Sequence, residues 1–256
     1  MEDGKKILPN SPAMNYRGAS LGQHGEVSLI PWEYSILENS GEVVSLKLWT
    51  RPLRYPILIE KTLSLKKGSS SLQIDETLTN ESDTELHLMW GHHIAFGLPF
   101  LKDGATIETS ATKFMAENKM PEHRIFKPGL NQDWPKVANL DNKEINASHI
   151  RKVSDGKFSD LAYLTAFKEK AYYKIATDIM SFSIEWDKEV FKSLWYWQER
   201  FATQDAPWWG KTYAVALEPW TNNWTEEPTM ETMDKDWLKL RPRQRLRTSL
   251  KTDCTH

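Results

Sequence analysis

Seven histidines and one late glutamate carry most of the chemistry that this 256-residue sequence can do. The densest stretch is Trp90-Gly91-His92-His93-Ile94-Ala95-Phe96-Gly97, two imidazoles in an apolar, strand-like setting. Histidine titrates nearest neutrality, which suits it to work as a general acid or base. If Leu86, Leu88 and Trp90 face the interior of a sheet, a period of two turns His87, Met89, Gly91 and His93 to the other face and leaves His92 inward. His93 is then the member that meets a site on the outer, concave face. A core histidine beside a strand-end cap explains the same pair equally well. His24 lies in Leu21-Gly22-Gln23-His24-Gly25, where glycines permit a tight turn or the close approach of a ligand, although a lone loop histidine also reads as a bystander. Glu218 lies in Tyr213-Ala214-Val215-Ala216-Leu217-Glu218-Pro219-Trp220. With Val215 and Leu217 inward, Ala214, Ala216, Glu218 and Trp220 share the other face. There, partial desolvation would raise a carboxyl toward the neutral range that a general base uses. An exposed edge-strand glutamate is the plain alternative.

Other chemistries find less support. Three histidines can hold zinc, but the adjacent His92 and His93 diverge on a strand, and no carboxylate stands at a ligand spacing from them and His24. No metal is expected. The sequence has no Gly-x-Ser-x-Gly elbow, P-loop or Gly-x-Gly-x-x-Gly. Its one cysteine, Cys254, can form no internal disulfide. A glycosidase needs two carboxylates about 5–9.5 Å apart; Glu199 and Asp205 are available beside Glu218, but nothing in the sequence orders them.

The elements that must position these groups read as strands. Ile57 to Leu65 and Leu72 to Asn80 alternate apolar and polar residues around a Lys66-Lys67-Gly68 turn, the pattern of an antiparallel hairpin. Further strands are expected at 26–30, 33–38, 43–50, 85–91, 105–108, 161–167, 172–177, 181–186, 190–198, 212–218 and 236–250. Residues 115–160 read as a long excursion with a short helical turn, and 221–234 as a loop. No repeat or linker divides the chain, so a single β-sandwich domain over 1–256 is expected.

Composition narrows the function classes. Lysine plus arginine number 33 against 35 acids, a formal charge of −2, so no global basic field exists to hold a nucleic acid or an anionic membrane. The basic run Lys239, Arg241, Arg243, Arg245, Arg247 and Lys251 occupies odd positions opposite leucines at even ones, the solvated face of an amphipathic strand. Apolar runs are too short to span a bilayer, and the polar start lacks a secretory signal's apolar core, so a cytoplasmic location is expected. Tryptophan is in excess, 12 against 9 phenylalanines and 8 tyrosines. Indoles suit interfaces and ring-stacking surfaces.

In order, these segments resemble the aldose 1-epimerases, or galactose mutarotase-like proteins. Leu21-Gly22-Gln23-His24-Gly25 followed by Pro31-Trp32 is similar to the family's first histidine motif. Leu78-Thr79-Asn80-Glu81-Ser82, running on to Gly91-His92-His93-Ile94-Ala95-Phe96-Gly97, is similar to its central motif, and Ala216-Leu217-Glu218-Pro219-Trp220 to its glutamate-bearing strand. The resemblance covers most of residues 20–250. It implies a large antiparallel β-sandwich, the galactose mutarotase-like supersandwich. It also implies an isomerase that interconverts the α and β anomers of a free sugar without a cofactor. Glu218 would take the anomeric proton, His93 would protonate the ring oxygen, and His24 would hydrogen-bond nearby. His92, Trp32, Trp195, Trp197 and Trp220 are candidate sugar contacts. Only 23 residues precede His24, where family members carry further strands, so N-terminal strands are expected to be missing; Arg17 is the candidate for the sugar-binding arginine of that region. The aspartate loop of the galactose enzymes has no match here, so galactose specificity is not implied. A carbohydrate-binding sandwich without catalysis is the alternative from another class, favoured by Trp195, Trp197, Trp208, Trp209 and Trp220 in one segment.

Overall fold

The computed structural model describes residues 14–21, 24–119, 121–224 and 229–255. About half the chain is strand, as the dominant period of two requires, and among the described residues every strand pairing is antiparallel. The strands are β1 (Met14–Tyr16), β2 (Ala19–Leu21), β3 (Glu33–Asn39), β4 (Val43–Thr50), β5 (Ile57–Lys66), β6 (Leu72–Asn80), β7 (Leu86–Leu88), β8 (Ala95–Phe96), β9 (Ala105–Thr109), β10 (Lys113–Ala116) and β11 (Asn131–Asp133). They continue with β12 (Lys136–Ala138), β13 (Glu144–Asn146), β14 (His149–Ile150), β15 (Phe158–Thr165), β16 (Ala171–Ala176), β17 (Ser181–Trp186), β18 (Ser193–Arg200), β19 (Tyr213–Trp220), β20 (Leu238–Leu240) and β21 (Arg245–Thr255). A short helix, α1 (Met230–Asp236), precedes β20.

Two sheets carry the architecture. One has nine strands in the order β14-β9-β16-β17-β21-β6-β5-β4-β3, the other six in the order β11-β10-β15-β18-β19-β8. The inward faces meet in one core, with Ile59, Leu78, Tyr173, Ile175, Ile184 and Leu250 from the larger sheet against Phe114, Leu164, Leu194, Tyr196, Val215 and Leu217 from the smaller. This is the expected large antiparallel β-sandwich. The β5–β6 hairpin pairs Ile57 with Asn80 and Leu65 with Leu72, the register that its alternation demands.

Four expectations need correction. Residues 26–30 form a turn, because the buried Glu26 carboxylate is held by the Arg54 backbone N–H at 2.9 Å and guanidinium at 2.6 Å. The excursion at 115–160 is made of short strands, with no helix among its described residues. The segment 221–234 contains the start of α1, whose N-terminus is satisfied by a reciprocal cap between Thr229 and Thr232; residues 225–228 of that expected loop lie outside the described residues. The strand expected over 236–250 is divided: the Arg241 N–H donates to the Gln244 side chain, making a turn between β20 and β21.

That turn is fastened by Asn80, fully buried at the end of β6. Its side-chain amide donates to the carbonyls of Thr84, Leu240 and Arg241, and its oxygen accepts from the Ser82 N–H and hydroxyl. Asn80→Ala would orphan several of these buried groups, each costing about 1–3 kcal/mol. Urea denaturation should show a loss of at least about 3 kcal/mol, whereas a loss under about 1 kcal/mol would mean that water replaces the amide.

Candidate functional site

Directly opposed residues in an antiparallel pair point to the same face, so the strand register alone assembles a site on the smaller sheet. Met115 opposes Tyr163, Tyr163 opposes Trp195, and Trp195 opposes Glu218. In the next row Leu161 opposes Trp197, Trp197 opposes Ala216, and Ala216 opposes Ala95. The register set by Ala95 against Ala216 and Gly91 against Trp220 puts His93 across from Glu218. Their facing atoms, His93 Nε2 and Glu218 Oε1, are 3.7 Å apart. His24 completes the group, its ring 5.5 Å from that of His93 and inclined by 63°. His24 holds this place from a left-handed backbone, φ 57°, followed by Gly25 at φ 68°. Such a conformation is costly for a residue other than glycine.

Indoles wall the group. Trp220 donates its N–H to Glu218 Oε2 at 2.9 Å and stacks on Trp195 with centroids 4.7 Å apart and planes 23° from parallel. Trp224 meets Trp195 edge-on, and Trp197 lies 6.1 Å from the His93 ring. Gly91 makes the Trp220 pose attainable: a Cβ there would lie 2.2 Å from Trp220 Cδ2. Tyr163, in the same row, gives its hydroxyl proton to Glu117.

Burial sets the electrostatics. Glu218 is 3% exposed, and desolvation raises it from 4.5 to about 8, opposed only by the Trp220 hydrogen bond. Desolvation also lowers His93, and lowers His24 with help from the charge of His93. At neutral pH the site therefore favours a protonated carboxyl beside neutral imidazoles. Glu199, also on this face, is fully committed to the Ala202 and Thr203 N–H groups and the Thr203 hydroxyl, which removes it as the second acid of a glycosidase pair.

Three sequence candidates are held elsewhere. His92 turns inward, its Nε2 2.9 Å from Glu76 Oε2 and its ring edge-on to Phe191. Burial alone would raise Glu76, but the hydrogen bond and charge of His92, with Lys61, keep it below the usual range. Trp32 gives its N–H to the Val27 carbonyl and packs on the core, with Lys61 over its ring. Arg17 sits in the β1–β2 turn, donating to the Glu85 carbonyl and covering Tyr16. With His92 turned away, His24, His92 and His93 do not converge as zinc ligands. Among the described residues, Glu85, His87 and Asp234 come within 4.8 Å of one another as potential cation ligands. His87 already bonds Asp234 at 2.7 Å, however, and Lys239 lies 3.2 Å from the same carboxylate, so the cluster fastens α1 to β7 and β20.

Sequence reasoning missed Gly91, Tyr163 and Trp224. Their roles depend on cross-strand partners, which no local pattern specifies.

Comparison with known proteins agrees with this architecture. Residues 9–254 match the model of a family described as "Domain of unknown function (DUF4432)". No curated protein matches the chain in sequence. Among solved structures, a "putative aldose 1-epimerase" from Klebsiella pneumoniae superposes with TM-score 0.67 at 15% identity over 96% of this chain; the chain spans 60% of that protein. A galactose mutarotase related enzyme from Lactobacillus acidophilus gives 0.60 at 16% identity, over 95% of this chain and 78% of its own. A galactose mutarotase-like protein from Clostridium acetobutylicum gives 0.59 at 14%, over 95% and 75%. The fold is galactose mutarotase-like. Among the described residues no helix is long and apolar enough to cross a membrane.

Two variants test this geometry. Gly91→Ala forces Trp220 off the backbone and should cost about 1–3 kcal/mol in denaturant midpoint analysis, with loss of Trp220–Trp195 exciton coupling in near-ultraviolet circular dichroism; an unchanged spectrum would contradict the packing. For Glu218, the folded state binds its proton more tightly than the unfolded state. Stability is therefore unaffected below about pH 4.5, falls as pH rises toward 8, and is fully reduced above it. The contribution is at most about 5 kcal/mol. Glu218→Gln should thus be more stable than wild type at pH 9 and similar at pH 4; equal stability at both would show an ordinary carboxyl.

Proposed function

The chain belongs to the DUF4432 family, and from that premise we propose that it is a sugar 1-epimerase working by acid–base ring opening at Glu218, His93 and His24. The observation that carries the proposal is the facing of a buried carboxyl and an imidazole at 3.7 Å inside a wall of indoles. Burial favours the uncharged form of both groups, raising Glu218 and lowering His93, so together they hold one proton across the neutral range.

Mutarotation requires a base for the anomeric hydroxyl and an acid for the ring oxygen. In this reading the Glu218 carboxylate accepts the proton of O1 as His93, protonated, gives one to the ring oxygen. The C1–ring-oxygen bond breaks, C1 becomes the aldehyde carbon, and rotation about C1–C2 presents its other face. The reverse transfers then close the ring and restore both groups. The productive form is the proton isomer of the resting neutral pair, so the total proton count never changes. His24, neutral at pH 7 by its lowered pKa, hydrogen-bonds the ring oxygen or a neighbouring hydroxyl, and the Trp197 indole beside His93 offers apolar surface to sugar C–H groups. General acid–base steps of this kind contribute about 10²–10⁴-fold each.

The test is anomer exchange of freshly dissolved α-sugars, followed by polarimetry or NMR. Glu218→Gln should lower the catalysed rate by at least about 10²-fold, and rates equal to wild type on every sugar would defeat the proposal. In wild type, kcat/KM should fall above about pH 8, where the pair loses its shared proton, and again below His93's lowered pKa, where it gains a second. A profile flat from pH 5 to 9.5 would contradict this assignment.

The indole wall also suits a carbohydrate-binding module without catalysis, because aromatic surface such as that of Trp197 needs no proton transfer to hold a sugar. Sugar binding that survives both His93→Ala and Glu218→Gln, with no anomer exchange in wild type, would favour that second reading.

A further inference from the structure

A cavity of about 190 Å³ lies beside His24. It shares three walls with the proposed site: His24, Trp195 and Trp220. It is also bounded by Trp90, Trp224 and Trp237, and by aliphatic side chains that include Ile59 and Leu88. Five of the protein's 12 tryptophans therefore meet around one small volume.

Apart from His24 at the shared wall, several of the polar groups that line the cavity are already committed. Glu26 holds Arg54, the Tyr55 hydroxyl donates to the His87 carbonyl, and the His87 ring bonds Tyr16 and Asp234. The Trp195 N–H is given to the Asn222 carbonyl and the Trp220 N–H to Glu218. A sugar ring placed here would lose its hydration and find little to bond, so the cavity selects against hydroxyl-rich groups. Close-packed interiors hold few voids of this size, and an apolar cavity of about 150 Å³ accommodates benzene. The volume thus suits an aryl or short alkyl group, and through His24, Trp195 and Trp220 it adjoins the place of the reacting sugar.

We infer that the natural substrate of the Glu218–His93 site is a sugar bearing an apolar substituent of aryl or short-alkyl size away from its anomeric carbon, and that this group lodges in the tryptophan-walled cavity beside His24. The inference rests on the proposed epimerase reading, since anomer exchange requires a free hydroxyl at C1 and so confines the substituent to another position.

The experiment has two independent arms. Benzene is titrated into the protein while the indole N–H resonances are followed by NMR, and anomer exchange is compared between a hexose and the same hexose carrying a benzyl ether away from C1. Saturable shifts of the cavity indoles at ~1 mM or below are expected, with kcat/KM at least about tenfold higher for the benzyl ether. Val27→Trp and, separately, Met89→Trp enlarge side chains that line the cavity; either should abolish the benzene shifts and the benzyl preference while retaining turnover of the plain hexose. Absence of benzene binding, or equal turnover of the two sugars, overturns the inference and leaves the epimerase proposal standing. Benzene binding with turnover of neither sugar defeats the epimerase proposal, and the substrate assignment falls with it.

Discussion

A carboxyl group held out of water with one hydrogen-bond donor is the constraint on which the rest of this structure turns. Removing Glu218 from solvent is unfavourable for its charged form, and the protein compensates with a single indole N–H rather than a fixed cation. That choice keeps the proton mobile. A guanidinium beside the carboxyl would have fixed its negative charge; an imidazole at 3.7 Å instead leaves the proton on the carboxyl with a neutral base beside it.

The surrounding packing follows from the need to hold that carboxyl dry. Both faces of β15, β18 and β19 are covered, the inner by the core and the outer by Leu161, Tyr163, Trp195 and their neighbours, which is why β15 is buried from Phe158 to Leu164. Gly91 lets Trp220 lie flat on the edge segment, Trp220 orients Glu218, and Trp195 braces Trp220 from the next strand. Large aromatic burials supply the favourable apolar area that offsets a desolvated carboxyl. The tryptophan excess is thus concentrated where it excludes water from a titrating group.

Much of this was legible in the sequence wherever alternation is local. The parity of Leu86, Leu88 and Trp90 sends His93 outward and His92 inward, as the structure has it, and the same logic on 213–220 separates Val215 and Leu217 from Glu218 and Trp220. What failed was decided by single side-chain contacts: Glu26 capturing Arg54 turns an apparent strand into a turn, and the Thr229–Thr232 cap starts a helix in an apparent loop. Trp32 follows the first histidine motif and Arg17 is the candidate from the region before it, and the structure turns the Trp32 N–H to the Val27 carbonyl and the Arg17 Nη1 to the Glu85 carbonyl. Cross-strand register, which brings Tyr163 and Trp195 beside Glu218, joins residues more than 20 positions apart and leaves no local trace.

The most direct test of the account is the protonation state of Glu218 itself. Infrared difference spectroscopy of wild type minus Glu218→Gln, taken across a pH series, isolates the carboxyl stretch of this one side chain. The account predicts a protonated carboxyl band that persists through neutral pH and disappears near pH 8. A band that disappears near pH 4.5, leaving a carboxylate throughout the neutral range, would contradict it.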